Sequence, residues 1–223
     1  MMQKFHLIAT ETLDVWIKAG KNIFEEDATG YDSWFDKHPI LFENELQAIR
    51  MLLPNEVKGL EIGVGTGRFA LALGVKEGLE PAKGMAKIAA QRGIQVKEGI
   101  AEALPYEGES FDFLLMVTTL CFLDDIPKAF VEAHRVLRKN GHLVIGLIDK
   151  NSPLGRQYEQ EKANNPWYKN AHFHSTEEIS ELLSTAGFSG FKYCQTLFST
   201  EEIPEKPISG FGKGSFVVIQ AKK

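Results

Sequence analysis

Cysteine is scarce in this sequence: two occur in 223 residues, Cys121 and Cys194. They stand far apart in apolar stretches without a CxxC spacing, which speaks against a disulfide framework and against a cysteine zinc or redox centre. Both are expected to be small buried hydrophobes. Nowhere do about 18 apolar residues run together, as a membrane-spanning helix requires. The opening stretch Met1 to Ile8 is too short in apolar residues for a signal sequence, so a cytoplasmic chain is expected. A basic run is missing as well. The 25 Lys and Arg residues are scattered among 30 acids and the formal charge is −5, whereas a protein that tracks phosphates needs a basic stripe. Nucleic acid is therefore not an expected partner. No internal repeat, low-complexity tract or Pro/Gly/Ser-rich linker divides the chain.

What the sequence does have is enough apolar material, 43% with 10% aromatic, for one sizeable core over residues 1–223. Strand and helix patterns alternate. Val57 to Ile62, Val75 to Leu79, Ile94 to Val96, Phe111 to Thr118 and His142 to Ile148 read as strands. Phe111 to Thr118 is apolar on successive residues, as in a strand covered on both faces of a parallel sheet. Between them Phe69 to Leu73, Ala82 to Arg92 and Ile126 to Arg138 read as helices. In the last, Asp124 and Asp125 open the helix, Arg135, Arg138 and Lys139 close it, and Asn140-Gly141 stops it. After Asp149 the run from Asn151 to Phe173 is polar and interleaved with aromatic rings, as in an insertion or lid. Ser175-Thr176-Glu177-Glu178 then caps a helix to Ala186. Phe188 to Phe198 and Ser215 to Ala221 are expected to close the sheet as an antiparallel pair. The pattern predicts a doubly wound α/β fold: a mostly parallel seven-stranded sheet with an antiparallel last strand, helices on both faces, and ligands at the carboxyl ends of the strands.

The informative stretch is Leu60-Glu61-Ile62-Gly63-Val64-Gly65-Thr66-Gly67-Arg68-Phe69, a strand running through a glycine turn into a helix. Glycine there permits positive φ and close approach of a ligand to the backbone. A dinucleotide fingerprint, G-x-G-x-x-G/A, would place a small residue at position 68, where this chain has Arg68; the spacing is G-x-G-x-G. The carboxylate of Glu61 would also oppose a pyrophosphate at the helix N-terminus. S-adenosylmethionine carries a sulfonium and an ammonium and no phosphate, so a carboxylate attracts it. Nineteen positions after Glu61 stands Glu80, an acceptor-only fork suited to two ribose hydroxyls.

With Gly99-Ile100-Ala101-Glu102-Ala103-Leu104-Pro105, Ser110-Phe111-Asp112, Arg135 to Gly141 and Glu177 to Phe188 following in order, the chain resembles the class I S-adenosylmethionine-dependent methyltransferases. It is similar to the small-molecule branch that includes the ubiquinone and menaquinone biosynthesis enzymes. The resemblance implies a Rossmann-like fold. It further implies that Glu61, Gly63, Gly65 and Gly67 cradle the methionine part of the donor and Glu80 the ribose, with Pro81 beside it. Ala101 and Glu102 would meet the adenine, and Val117 and Thr118 would lie near the methyl group. Ile100 stands where relatives usually carry an Asp. The segment Tyr31 to Phe35 resembles a helix that covers the donor, which divides the chain into a helical cover (1–50), a donor-binding core (51–149), a lid or insertion (150–174) and a closing helix with strands (175–223).

Methyl transfer from a sulfonium needs alignment and exclusion of water more than a catalytic side chain, so no catalytic residue is singled out. The Asn/Asp-Pro-Pro-Tyr/Phe motif of methyltransferases acting on amide or ring amino groups is absent, which points to a small-molecule acceptor. Tyr31, Trp34, Thr119, Tyr158, Tyr168 and His172 are the expected pocket walls. No metal is expected: Asp124 and Asp125 read as a helix start, Asp149 as a strand end, and His172 with His174 lacks a third ligand. The same motifs would also serve a donor-binding sensor without transferase activity, and an NAD-dependent oxidoreductase is the further rival on this architecture. Acceptor and oligomeric state are not legible.

Overall fold

The computed structural model describes residues 23–55 and 58–223. The expectations placed on residues 1–22, including the reading of the first eight, and on Val57 as a strand start lie outside the described residues. Among the described residues three helices, α1 (Ile23–Glu26), α2 (Ala28–Lys37) and α3 (Pro39–Leu52), precede the first strand. Asp27 caps α2 by accepting the Gly30 N–H at 2.9 Å, and Pro39 opens α3, where a missing N–H costs nothing. Strands and helices then alternate: β1 (Gly59–Ile62), α4 (Arg68–Leu73), β2 (Glu77–Leu79), α5 (Lys83–Gln91), β3 (Gln95–Lys97), β4 (Phe111–Val117), α6 (Ile126–Val136) and β5 (Leu137–Ile148). The chain ends with α7 (Pro153–Glu161), α8 (Thr176–Thr185), β6 (Ser189–Thr196), β7 (Ile208–Ser209) and β8 (Phe216–Lys222).

The strands form one sheet in the order β3-β2-β1-β4-β5-β8-β6-β7. β3, β2, β1, β4 and β5 are parallel, and β8 inserts antiparallel between β5 and β6. The expected seven strands are present, with the two-residue β7 added as an eighth on the edge. Successive side chains of the central strands feed opposite cores, following the period of two. Leu114 and Met116 of β4, Leu143 and Ile145 of β5, and Val217 and Ile219 of β8 pack with Phe130 and Ile179 on one face. Phe113, Leu115 and Val117, with Val144 and Val218, pack with Ile49 and Phe35 on the other. Two-sided burial is thus why β4 is apolar without alternation.

One helix end differs from expectation. α6 stops at Val136 and Leu137 already pairs with Phe111, so Arg138 and Lys139 belong to the strand and do not close the helix. The free carbonyls of the last turn are taken from outside: Glu109 and Ser110 N–H donate to Arg135 O and Val136 O, and Lys223 Nζ donates to Leu137 O at 2.7 Å. Arg138 turns to Asp112 at 2.6 Å. Cys194 is buried as expected, whereas Cys121 is half-buried on the wall of a small cavity. No helix among the described residues is long and apolar enough to cross a membrane.

The carboxyl end of β5 is tied down by Asp149, which is 5% exposed. One of its oxygens accepts from Thr176 N and Oγ1 (2.9 and 2.5 Å) and the other from Asn151 N (2.7 Å). The side chain holds the start of α8 against the sheet. Asp149→Ala leaves the Thr176 donors buried and unpaired and should destabilise the fold by about 2 to 4 kcal/mol in urea denaturation.

Candidate functional site

The site grows from the turn that links β1 to α4. Gly63, Gly65 and Gly67 all have positive φ (71°, 54° and 82°). Gly63 is the most constrained, because a Cβ there would stand 2.5 Å from Thr119 Cγ2. Gly63 N and Val64 N both donate to Leu79 O at the end of β2, at 2.8 and 3.0 Å. One residue on, Glu80 closes the arrangement: one oxygen accepts Gly65 N at 2.8 Å and the other Ala82 N at 3.0 Å. A carboxylate has about four acceptor positions, so each Glu80 oxygen retains capacity.

Arg68, the residue that breaks the dinucleotide spacing, fastens α2 to this turn. Asp32 lies between two guanidinium forks, with bonds from Arg68 Nε and Nη2 (2.9 and 2.7 Å) and from Arg92 Nη1 and Nη2 (2.8 and 2.7 Å). Thr66 Oγ1 adds a bond at 2.6 Å, and Arg68 Nη1 also reaches Asp36 at 2.8 Å. Partial burial works to raise the Asp32 pKa, but the bonds from Arg68, Arg92 and Thr66 outweigh it and hold the carboxyl well below the usual range.

The other wall comes from the end of β4. Thr118 has a φ of 49°, a strained value for a residue branched at Cβ, and its N–H donates to Gly146 O at 2.8 Å. It lines two spaces at once. The main cleft, enclosing about 660 Å³ of empty space that is partly open to solvent, is lined by Gly63, Gly65, Glu80, Pro81, Ala101, Glu102, Val117, Thr118, Thr119 and Tyr31 among others. A smaller cavity lies on the other side of Thr118, against Cys121, Ile148, Tyr168 and Phe173. Phe24, Tyr31, Phe122 and Trp167 close over the region in edge-on and tilted ring contacts of 5.0 to 5.8 Å.

Most of the residues singled out from sequence converge here, but not all. Glu61 is buried behind the turn, where one side-chain oxygen has no hydrogen-bond partner and the Ala70 N–H lies within reach. Gly67 starts α4 and does not line the cleft. Trp34 stacks against His38, and Tyr158 lies behind Tyr168 at a ring distance of 4.9 Å. His172 is exposed; its backbone N–H, not its ring, makes the contact, donating to Cys121 O at 2.8 Å. The walls Phe24, Met85, Phe122 and Leu123 were not anticipated, since isolated apolar residues outside the motifs carry no positional signal. Glu45 of α3, an acid within a helix that reads as solvated, is 6% exposed but lines neither space. Among the described residues, no cluster of His, Cys, Asp and Glu is arranged to hold a metal.

Buried carboxyls dominate the electrostatics. Burial raises Glu80 to about 7, against the backbone bonds from Ala82 and Gly65. It raises Glu45 to about 8 and pushes Glu61 well above its ordinary value. Glu102 is 5% exposed; one oxygen accepts from Asp124 N and Asp125 N at 3.0 and 3.3 Å, and the other has no partner. Such an orphaned acceptor on the cleft wall suits a ligand that brings an N–H.

Residues 60–145 match the family described as a methyltransferase domain. The chain is 43% identical over 204 residues to an uncharacterized protein of Methanocaldococcus jannaschii, covering 91% of this chain and 99% of that one. Among solved structures it is similar to a Thermotoga maritima chain described as a "SAM-dependent methyltransferase, possible histamine N-methyltransferase". The identity is 50% and the TM-score 0.87, over 90% of this chain and 98% of that one. It is 34% identical over 135 residues to the demethylmenaquinone methyltransferase of Roseiflexus castenholzii, spanning 54% of this chain and 56% of that enzyme.

The raised carboxyls have a consequence for stability. Between their ordinary and folded values the native state binds more protons than the unfolded chain, so stability falls as pH rises through that window. From pH 6.5 to 8.5, Glu45 and Glu80 together should remove about 2 to 3 kcal/mol, with Glu61 acting in the same sense. Burial lowers His134 and His174, and they oppose the trend only below about pH 6.5. Urea denaturation of the ligand-free protein across this range should show the decline, and Glu45→Gln should remove most of it.

Proposed function

The chain belongs to the S-adenosylmethionine-dependent methyltransferases, and from that premise we propose that it methylates a small molecule held between the main cleft and residues 150–174. S-adenosylmethionine is the cofactor of this family; when bound it supplies a methyl group on a positively charged sulfur, open to in-line attack. The observation that carries the reading is the position of Thr118, one residue that lines both the cleft and the cavity behind it.

The residues of the cleft fit the donor. Gly63 and Gly65 leave room for its methionine part to approach the backbone, and the free acceptor capacity of Glu80 suits the two ribose hydroxyls. Pro81 and Ala101 offer flat apolar contact to the adenine. The orphaned oxygen of Glu102 can accept from the adenine amino group, which accounts for an Ile at position 100. Glu61 lies under the turn beside the Ala70 N–H and keeps one oxygen without a partner, which suits the ammonium of the methionine part. Val117 and Thr118 border the methyl position. Residues 150–174 act as the lid, with Trp167 against Phe24 and Tyr31 keeping water from the reacting atoms.

The walls of the second cavity are apolar with a few hydroxyls, the lining a small molecule requires. Similarity to a chain described as a possible histamine N-methyltransferase makes small amines the first acceptors to screen. Arg68 stands where a dinucleotide site needs a small residue, and its guanidinium is committed to Asp32 and Asp36, which favours the methyl donor over NAD.

Titration calorimetry with S-adenosylmethionine, S-adenosylhomocysteine and NAD should show micromolar binding of the first two alone. NAD binding more tightly than S-adenosylhomocysteine would overturn the assignment. Glu80→Ala should weaken S-adenosylhomocysteine by about 1 to 3 kcal/mol with an unchanged circular dichroism spectrum. Unchanged affinity would refute the ribose contact.

A further inference from the structure

The smaller cavity encloses about 360 Å³ of empty space and shares Thr118 with the main cleft. Among the described residues on its wall, three side chains can exchange a proton: Cys121, Tyr168 and His174. The Cys121 thiol is committed as a donor to Thr118 O at 3.4 Å. Burial, the first of several causes, pushes the Tyr168 phenol well above its ordinary value, so at neutral pH it is a hydroxyl and no base. His174 is left as the proton acceptor of this wall.

The local fold supplies His174 with a counter-charge. It directly precedes Ser175, the N-cap of α8, and the first turn of that helix brings Glu178 back toward it. Glu178 Oε2 stands 3.8 Å from His174 Nδ1, in ion-pair range. The same oxygen accepts the Ser175 N–H at 2.9 Å as half of the capping box, and Oε1 meets Lys150 Nζ at 3.4 Å. His174 is held from the other side by its backbone, where Lys150 N donates to His174 O at 3.0 Å. A carboxylate on the Nδ1 side favours the tautomer that keeps its proton there and leaves the lone pair on Nε2. Glu178, Lys150, His172 and Glu159 are the charged and titratable groups that act on the ring. Burial comes first and lowers its pKa, with Glu178 working against it, so the resting imidazole is neutral at neutral pH. The side chain is 27% exposed, which gives a captured proton a way to water.

On the reading of cleft and cavity given above, we propose that His174 is the catalytic base of this enzyme, with Glu178 as its positioning residue, and that the acceptor is an uncharged ring bearing a weakly acidic hydroxyl. The described cavity wall carries no acid and no permanent cation, so a charged acceptor would lose its water there without gaining a partner. A ring suits the walls: Tyr168 lies 5.8 Å from Phe173, and 6.3 Å from Phe122 at 12° from parallel, offering flat apolar faces. In the step, the acceptor O–H bond breaks and its proton goes to Nε2 of His174. The bonding pair stays on oxygen and forms the bond to the methyl carbon, whose bond to sulfur breaks with that pair left on sulfur. The imidazolium is balanced by Glu178 until it gives its proton to water. This places phenols beside the amines in the acceptor screen.

The test reads proton transfer without turnover. The full-length protein is saturated with S-adenosylhomocysteine and titrated at about pH 6 with 4-nitrophenol, a phenol whose anion is yellow. Free in solution at that pH the probe is mostly neutral; bound beside a neutral imidazole it should gain the anion band. His174→Ala should bind S-adenosylhomocysteine as the wild type does and lose the gain at least about tenfold. Glu178→Gln keeps a side chain able to complete the capping box; it should bind the probe yet lower the anion fraction a few-fold, which a merely structural His174 would not produce. Should the Ala variant fail to fold, the Gln variant decides. No binding of 4-nitrophenol, binding without the anion band, a band that survives His174→Ala, an anion fraction unchanged in Glu178→Gln, or displacement of the probe by 2-phenylethylamine more readily than by phenol would each overturn the proposal and leave the methyltransferase assignment intact. Failure of S-adenosylhomocysteine itself to bind would remove both.

Discussion

Burial of the central sheet on both faces is the constraint from which the rest of this structure follows. Strands β4, β5 and β8 carry apolar side chains upward and downward into two cores, so the sheet has little room for polar groups along their length. Chemistry is displaced to the carboxyl ends of the parallel strands, where backbone can turn and side chains can meet a ligand. The turn after β1, Glu80 after β2, Thr118 after β4 and Asp149 after β5 all stand at such ends. Two of these positions store strain or crowding: Thr118 in its positive φ, and Gly63 in a space that a single methyl group would overfill.

Electrostatics then separates the site into two regimes. On the outer side, Asp32 between Arg68 and Arg92 is fully paired, and its charge locks α2 to the glycine turn. On the inner side, Glu61 and Glu102 each keep a buried oxygen without a partner. Paired charges fix geometry, while unpaired buried ones lower stability and are retained where a ligand completes them. The donor carries a sulfonium, an ammonium and an amino group, so an excess of buried acceptors around its cleft matches its chemistry. That match is independent of the glycine spacing and leads to the same ligand.

The succession of strands and helices along the chain, the two-faced sheet and the glycine turn were legible in the sequence because each rests on local pattern: apolar runs, turn residues and caps within a few positions of one another. The capping box at Ser175 and Glu178 formed as read. The end of α6 was misread because the groups that terminate it, Glu109, Ser110 and Lys223, lie about 25 or more positions away in the chain. The same distance effect governs the site. Glu80 and the loop glycines were recognisable by spacing, whereas His172 offered a suggestive ring that the fold turns to solvent.

The sequence by itself determined the fold class and the methyl-donor chemistry, since both depend on residues whose roles are set by their immediate neighbours. Tertiary structure alone decided which carboxyls are stripped of water. Glu45 and Glu25 look alike as acids in helical stretches, yet packing of α3 leaves Glu45 buried and Glu25 exposed. Desolvation is a property of everything that surrounds a group, drawn from elements far apart in the chain. No local pattern encodes it.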